Sequence, residues 1–182
     1  MKVLSERALH TSFYRILDTP IMTNTIRGYF LESLVEAALA PDWRCNDIWD
    51  SWDLSHTASK LRMEVKQSAV RQVWDAPASE RSRAAAPRFD IRERDQMWKG
   101  GGLTPALGRA EIYVFGFHPV ADWKVADQRR AEQWEFYILG RDGLPDAKSI
   151  SLAELRKRTD AVRADQLRQV VNDLVSSLLG HS

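Results

Sequence analysis

The chain has 182 residues, 44% of them apolar, enough for one domain built on one core. A formal net charge of +1 gives it no general pull towards polyanions, the lone Cys45 excludes an intramolecular disulfide, and no uninterrupted apolar run reaches membrane-spanning length. No signal-peptide core follows Met1-Lys2, so the expectation is a cytoplasmic protein without a membrane partner, a single domain over residues 1–182.

Residues 5–17 have Leu9, Phe13, Ile16 and Leu17 at helical spacing, which predicts a short helix docked on the body of the domain and ended by Asp18-Thr19-Pro20. A second helix is expected over about 24–40, capped by Thr23, Asn24 or Thr25 and stopped by Pro41. Ile26, Phe30, Leu34, Ala37 and Ala38 are its expected inward residues. Gly28, Glu32 and Glu36 then form an adjacent stripe, either an ordinary solvated acidic face or an approach to a site. Charge is unevenly spread: Gly28 to His56 holds six acidic residues against one Arg, and Lys60 to Lys99 holds ten Lys or Arg against six Asp or Glu. An acidic pocket beside a basic segment suits a metal next to a phosphate track, as it also suits plain solvated surface.

A first strand is expected within 42–49, where Trp43 and Trp49 lie close to Trp52 and core is the better role for all three. Residues 52–69 read as a β-hairpin turning at Thr57 to Lys60. Pairing Asp53 with Glu64 sorts both arms at once: Asp53, Ser55, Arg62, Glu64 and Lys66 share one face, and Trp52, Leu54, His56, Leu61, Met63 and Val65 the other. Two carboxylates opposed across neighbouring strands can share a hard divalent cation such as magnesium. Lys66, two residues beyond Glu64, can hold a water or a phosphate beside it.

Gln67, Arg71 and Gln72 follow that strand and are the candidates for contacts with nucleic acid, with structural hydrogen bonding as the alternative for Gln72. Residues 75–86 read as a surface loop, 87–92 as a strand, and Gly100-Gly101-Gly102 as a flexible turn, since it lacks the strand-to-helix setting of a nucleotide loop. Ile112 to Phe117 is apolar almost throughout, as a strand covered on both faces requires, and Trp134 to Leu139 is its expected companion. C-terminal helices are expected over 151–179. Ser151 and Glu154 have capping-box spacing, and Leu167, Val170, Val171, Leu174, Val175 and Leu178 form an amphipathic stripe. Packing over the sheet is its default role; a seam for a homodimer or a protein partner is the other.

Asp53, ten residues, then Glu64-Val65-Lys66 resembles the signature of the PD-(D/E)XK nuclease superfamily. MEVKQSAVRQVW (63–74), PRFDI (87–91), AEIYVFGF (110–117) and EQWEFYIL (132–139) together resemble an uncharacterised bacterial branch of it, over about residues 26–140. Gln67 stands where that branch usually has Ser, and Glu111 where it usually has Asp. The resemblance implies a mixed α/β, restriction-endonuclease-like core over about 24–140 and hydrolysis of DNA phosphodiester bonds in restriction, phage defence or repair. It also implies magnesium, with manganese substituting, held by Asp53, Glu64, the Val65 main-chain carbonyl and an assisting Glu32, with Lys66 handling the attacking water. The other reading is an inactive or partner-dependent nucleic-acid-binding subunit of the same fold.

Overall fold

A computed structural model describes residues 5–46, 50–75, 86–93, 96–99, 102–105 and 108–180. In chain order its strands are β1 (Trp43–Cys45), β2 (Leu54–His56), β3 (Arg62–Ala69), β4 (Arg88–Asp90), β5 (Gln96–Lys99), β6 (Gly102–Pro105), β7 (Ile112–His118), β8 (Glu135–Gly140) and β9 (Ser149–Ser151). The helices are α1 (Glu6–Leu17), α2 (Asn24–Leu39), α3 (Leu152–Leu155) and α4 (Leu167–Gly180). The fold is mixed α/β. Its main sheet has the order β1-β2-β3-β7-β8, with β3 and β7 parallel and the other pairs antiparallel. A parallel pair needs a long crossover, and this one carries β4 and the β5–β6 hairpin. β4 then pairs with β9 to make a separate ribbon.

All seven residues of β7 are buried because both faces of the sheet are covered. On one face Met63, Val65 and Val114 pack with Leu31, Val35 and Leu39 of α2 and with Leu167, Val171 and Val175 of α4. α4 thus uses its apolar stripe in the core, with Leu174 and Leu178 half-buried beside it. On the other face Tyr113, Phe115 and Phe117 pack under Phe89, Ile91, Ile150 and Leu155. α2 comes close to the sheet at Gly116, where an added Cβ would overlap the Leu31 side chain.

Three expectations need correction. α1 forms and is capped by Ser5, yet buries no residue: Phe13 is 58% and Ile16 70% exposed. Its apolar spacing describes a surface that the described residues leave uncovered. α2 has its expected extent, with Thr23 Oγ1 accepting from the Ile26 N–H at 3.4 Å, but its buried row is Arg27, Leu31, Val35 and Leu39, one position round from the expected face. A charged first member disguised that row. Trp52 packs with the second cluster, its indole N–H donating to Ser55 Oγ at 2.9 Å, because residues 50–53 are bends and strand alternation begins only at Leu54. Trp43 is fully buried as expected, whereas Trp49, the loop over 76–85, Gly100 and Gly101 lie outside the described residues. Among the described residues, no helix is long and apolar enough to cross a membrane.

Candidate functional site

The hairpin register pairs Leu54 with Met63 and Ser55 with Arg62. The strand pairing stops there, and the Asp53 N–H donates to the Met63 carbonyl at 3.0 Å, which sets Asp53 beside the Met63–Val65 stretch of β3 without a strand pair to Glu64. The turn closes with Lys60 at φ 62°. β2 extends no further towards the N-terminus, so the edge of β3 beyond Met63 is left to Asp53: its Oδ2 accepts the Val65 N–H at 2.7 Å. Within one strand residue the N–H and C=O project to the same edge, which puts the Val65 carbonyl on the Asp53 side of β3.

Glu64 is only 7% exposed, and its Oε1 accepts from Lys66 Nζ. Burial, then the charge of Glu64, push the Asp53 carboxyl up to about 7, against the pull of Lys66 and the Val65 N–H; Glu32 adds a smaller push from α2. Two sheltered carboxylates lying together are unstable as a pair of anions and invite a compensating cation. Burial and the Glu64 charge likewise hold Tyr113, the β7 partner of Glu64, at about 12, so its phenol keeps its proton. The Cys45 thiol, pushed up to about 12 by burial and by Glu36, Glu32 and Asp53, is no nucleophile at neutral pH.

The remaining polar residues of this face are committed elsewhere. Arg62 donates through Nε to Glu111 Oε2 at 3.0 Å, also reaches the Arg109 carbonyl at 2.9 Å, and lies 5.1 Å over the Trp52 ring. Ser55 Oγ donates to Asn46 Oδ1 at 3.0 Å.

Asp53, Glu64 and Lys66 are therefore brought together, with Glu32 at their flank. Among the described residues, no three His, Cys, Asp or Glu side chains converge as a ligand group. Two carboxylates and a main-chain carbonyl are a donor set that magnesium accepts, since it keeps several of its waters and uses one or two protein carboxylates.

Gln67, Gln72 and Arg71 are not brought to this face. Gln67 has the opposite strand parity to Lys66 and accepts from Arg27 Nε at 2.5 Å, while Gln72 Oε1 accepts from Arg27 Nη2 at 3.1 Å. Arg71 is buried, donates to the Ala121 carbonyl and lies 5.8 Å over Trp123. Sequence reasoning missed Arg27, the buried cation that gathers both glutamines, and it missed Arg92 and Arg109, which line the same pocket as Glu64. The alternation of Arg88, Phe89, Asp90, Ile91 and Arg92 was the available signal for Arg92. Nothing local marked Arg109. No protein-family model matches the chain, and the search of curated proteins returns no match.

Proposed function

We propose that the chain is a divalent-metal-dependent nuclease that hydrolyses DNA phosphodiester bonds at Asp53, Glu64 and Lys66. The observation that carries the reading is the pair of sheltered carboxylates lying together at the hairpin, with the Lys66 ammonium bonded to one of them. Structural ion pairs do not need two like charges in one place, and an arrangement that costs stability points to chemistry. The order of these residues resembles the PD-(D/E)XK signature, and a helix, a hairpin and a mixed sheet in this succession suit a restriction-endonuclease-like core.

Asp53, Glu64 and the Val65 carbonyl would hold magnesium, or manganese in its place, which when bound supplies positive charge against the charge developing on the phosphate and acidifies a water. The chain's own residues do the positioning. The Val65 N–H fixes one oxygen of Asp53 and leaves the carboxylate beside Glu64. Lys66 sits one strand repeat along the same face, where its ammonium can give hydrogen bonds to an attacking water and to a phosphate oxygen. Glu32, whose charge acts on Asp53, would act on a water.

Incubation of the purified chain with supercoiled plasmid and with linear single- and double-stranded DNA, in magnesium, manganese or EDTA, tests the proposal. Metal-dependent cleavage that vanishes in Lys66→Ala is the expected result. Equal cleavage by Lys66→Ala, or none by a folded parent, overturns it. One observation favours a second reading, a nucleic-acid-binding subunit that works with a protein partner: Leu9, Phe13, Tyr14 and Ile16 of α1 are all more than half exposed. Binding of DNA without cleavage, by a chain that light scattering finds monomeric, would favour it.

A further inference from the structure

The β4–β9 ribbon lies over the face of β3 that carries Glu64 and Lys66. Its inner residues, Phe89, Ile91 and Ile150, are buried against Phe115, and strand alternation turns Arg88, Asp90 and Arg92 outward. Arg88, Arg92 and Lys148 share one shallow groove with Asp90 and Ser149. Three cations there meet one acid. Arg88 is steadied by Ser149 Oγ, at 2.8 Å from Nη2, and Arg92 is bonded through Nε to both oxygens of Asp90, at 3.0 and 3.1 Å.

Arg92 is also a wall of the adjoining pocket, whose other members include Glu64, Glu93, Arg109 and Tyr113. The two cavities thus share one lining residue. Inside the second, Arg109 Nε is buried with no hydrogen-bond partner among the described residues, and the nearest acid in an ion pair with it, Glu93, has its Oε2 3.7 Å away. A buried guanidinium N–H without an acceptor is costly, and an anionic oxygen is the group that would satisfy it.

We infer that a nucleic-acid strand runs from the Glu64 pocket outward along the β4–β9 ribbon, its backbone phosphates held by Arg109, Arg92, Arg88 and Lys148. This rests on the nuclease reading and adds to it the path of the substrate. Arg88 and Arg92 are four residues apart, at most about 13 Å along an extended chain. That distance spans about four nucleotides at the ~3.4 Å rise of a duplex strand. Contacts of this kind neutralise phosphates and read no bases, so the ribbon contributes affinity and register without sequence preference.

The test is fluorescence anisotropy of a labelled duplex and of a labelled single strand with the full chain in EDTA, across a series of salt concentrations. Arg88→Ala/Lys148→Ala is compared with Arg7→Ala/Arg168→Ala, which removes the same charge from exposed positions on α1 and α4. The ribbon variant is expected to bind at least tenfold more weakly at low salt, with the slope of log K against log salt reduced by about 1 to 2. The other pair should change affinity by no more than about threefold. Equal effects in the two pairs, or none in the ribbon variant while the parent binds, overturn the path and leave the nuclease reading standing. A parent that binds neither strand form overturns both, and a parent that binds with the expected ribbon dependence yet never cleaves keeps the path and removes the catalytic assignment.

Discussion

β3 serves two faces of the same sheet, and they treat charge in opposite ways. Towards α2 its neighbour is Arg27, 2% exposed, whose donors are taken by Gln67, Gln72, Asn24 and the Met22 carbonyl. Burial lowers its pKa to about 10, which still leaves it charged at neutral pH. Towards the ribbon, Glu64 and Asp53 lie together and one cation, Lys66, is bonded to Glu64 and acts on Asp53 through its charge. A fully partnered buried charge is structure, whereas like charges held together are an expense that folding alone does not explain. Residues one position apart on one strand therefore differ in kind: Gln67 belongs to the frame and Lys66 to the site.

The largest expected effect falls on the ribbon face. Glu64→Ala and Lys66→Ala should each lower the cleavage rate by at least ~10³, equivalent to about 4 kcal/mol of transition-state stabilisation, and Glu64→Ala should leave the melting temperature unchanged or raised. Plasmid cleavage followed beside thermal unfolding checks both halves. A variant that lost both stability and activity would put Glu64 in the frame instead.

Arg27→Met reverses that pattern. It leaves the oxygens of Gln67 and Gln72 without their donor, and should cost about 3 kcal/mol in denaturant unfolding while DNA affinity at saturating folded protein stays within a few-fold of the parent. Gly116→Ala presses on the same face by packing alone. Its methyl would overlap Leu31, and moving α2 or re-seating that leucine should cost about 2 kcal/mol, measurable as a lower urea midpoint at an unchanged slope.

How much of this was legible before the fold was known follows from the same contrast. The hairpin register of Leu54 with Met63 and Ser55 with Arg62, and the burial of β7, could be read because strand alternation is a local rule and β2, β3 and β7 obeyed it. It failed at Trp52, where bends precede the strand. The inner row of α2 was misread because Arg27 heads it, and whether an arginine can be buried depends on two glutamines forty and more residues away. β9 pairs with β4 across some sixty residues, with Phe89 opposite Ile150. No spacing within either strand announces that partner, so the ribbon over the site was invisible. Arg109 was hidden for the same reason, since its position matters only once the segment before β7 is laid beside Glu64.

The smallest effect separates the two faces most directly, because it concerns stability in the absence of any substrate. Asp53 is raised from 3.8 to about 7 by burial and by Glu64. Between those pH values the folded chain holds a proton that the unfolded chain has released. The associated stability is therefore complete below the unfolded value and is lost as pH rises through about 7. Such an elevation corresponds to about 4 kcal/mol if no solvent reaches the group; partial access and the coupling to Glu64 reduce the expected loss to about 2 kcal/mol. The amide introduced by Asp53→Asn cannot ionise and still offers an oxygen to the Val65 N–H, so the variant should be about 2 kcal/mol more stable than the parent at pH 8 and equal to it at pH 4 in metal-free buffer. Magnesium should invert the order at pH 8, since a ligand at about a hundred times its dissociation constant adds about 2.7 kcal/mol to the form that binds it. Calorimetric scans of both chains at the two pH values, with magnesium and with EDTA, check each sign. A variant less stable than the parent in EDTA at pH 8 would mean that Asp53 is held there as a satisfied anion, a frame residue like Arg27, and would remove the physical reason for seeking a cation beside it.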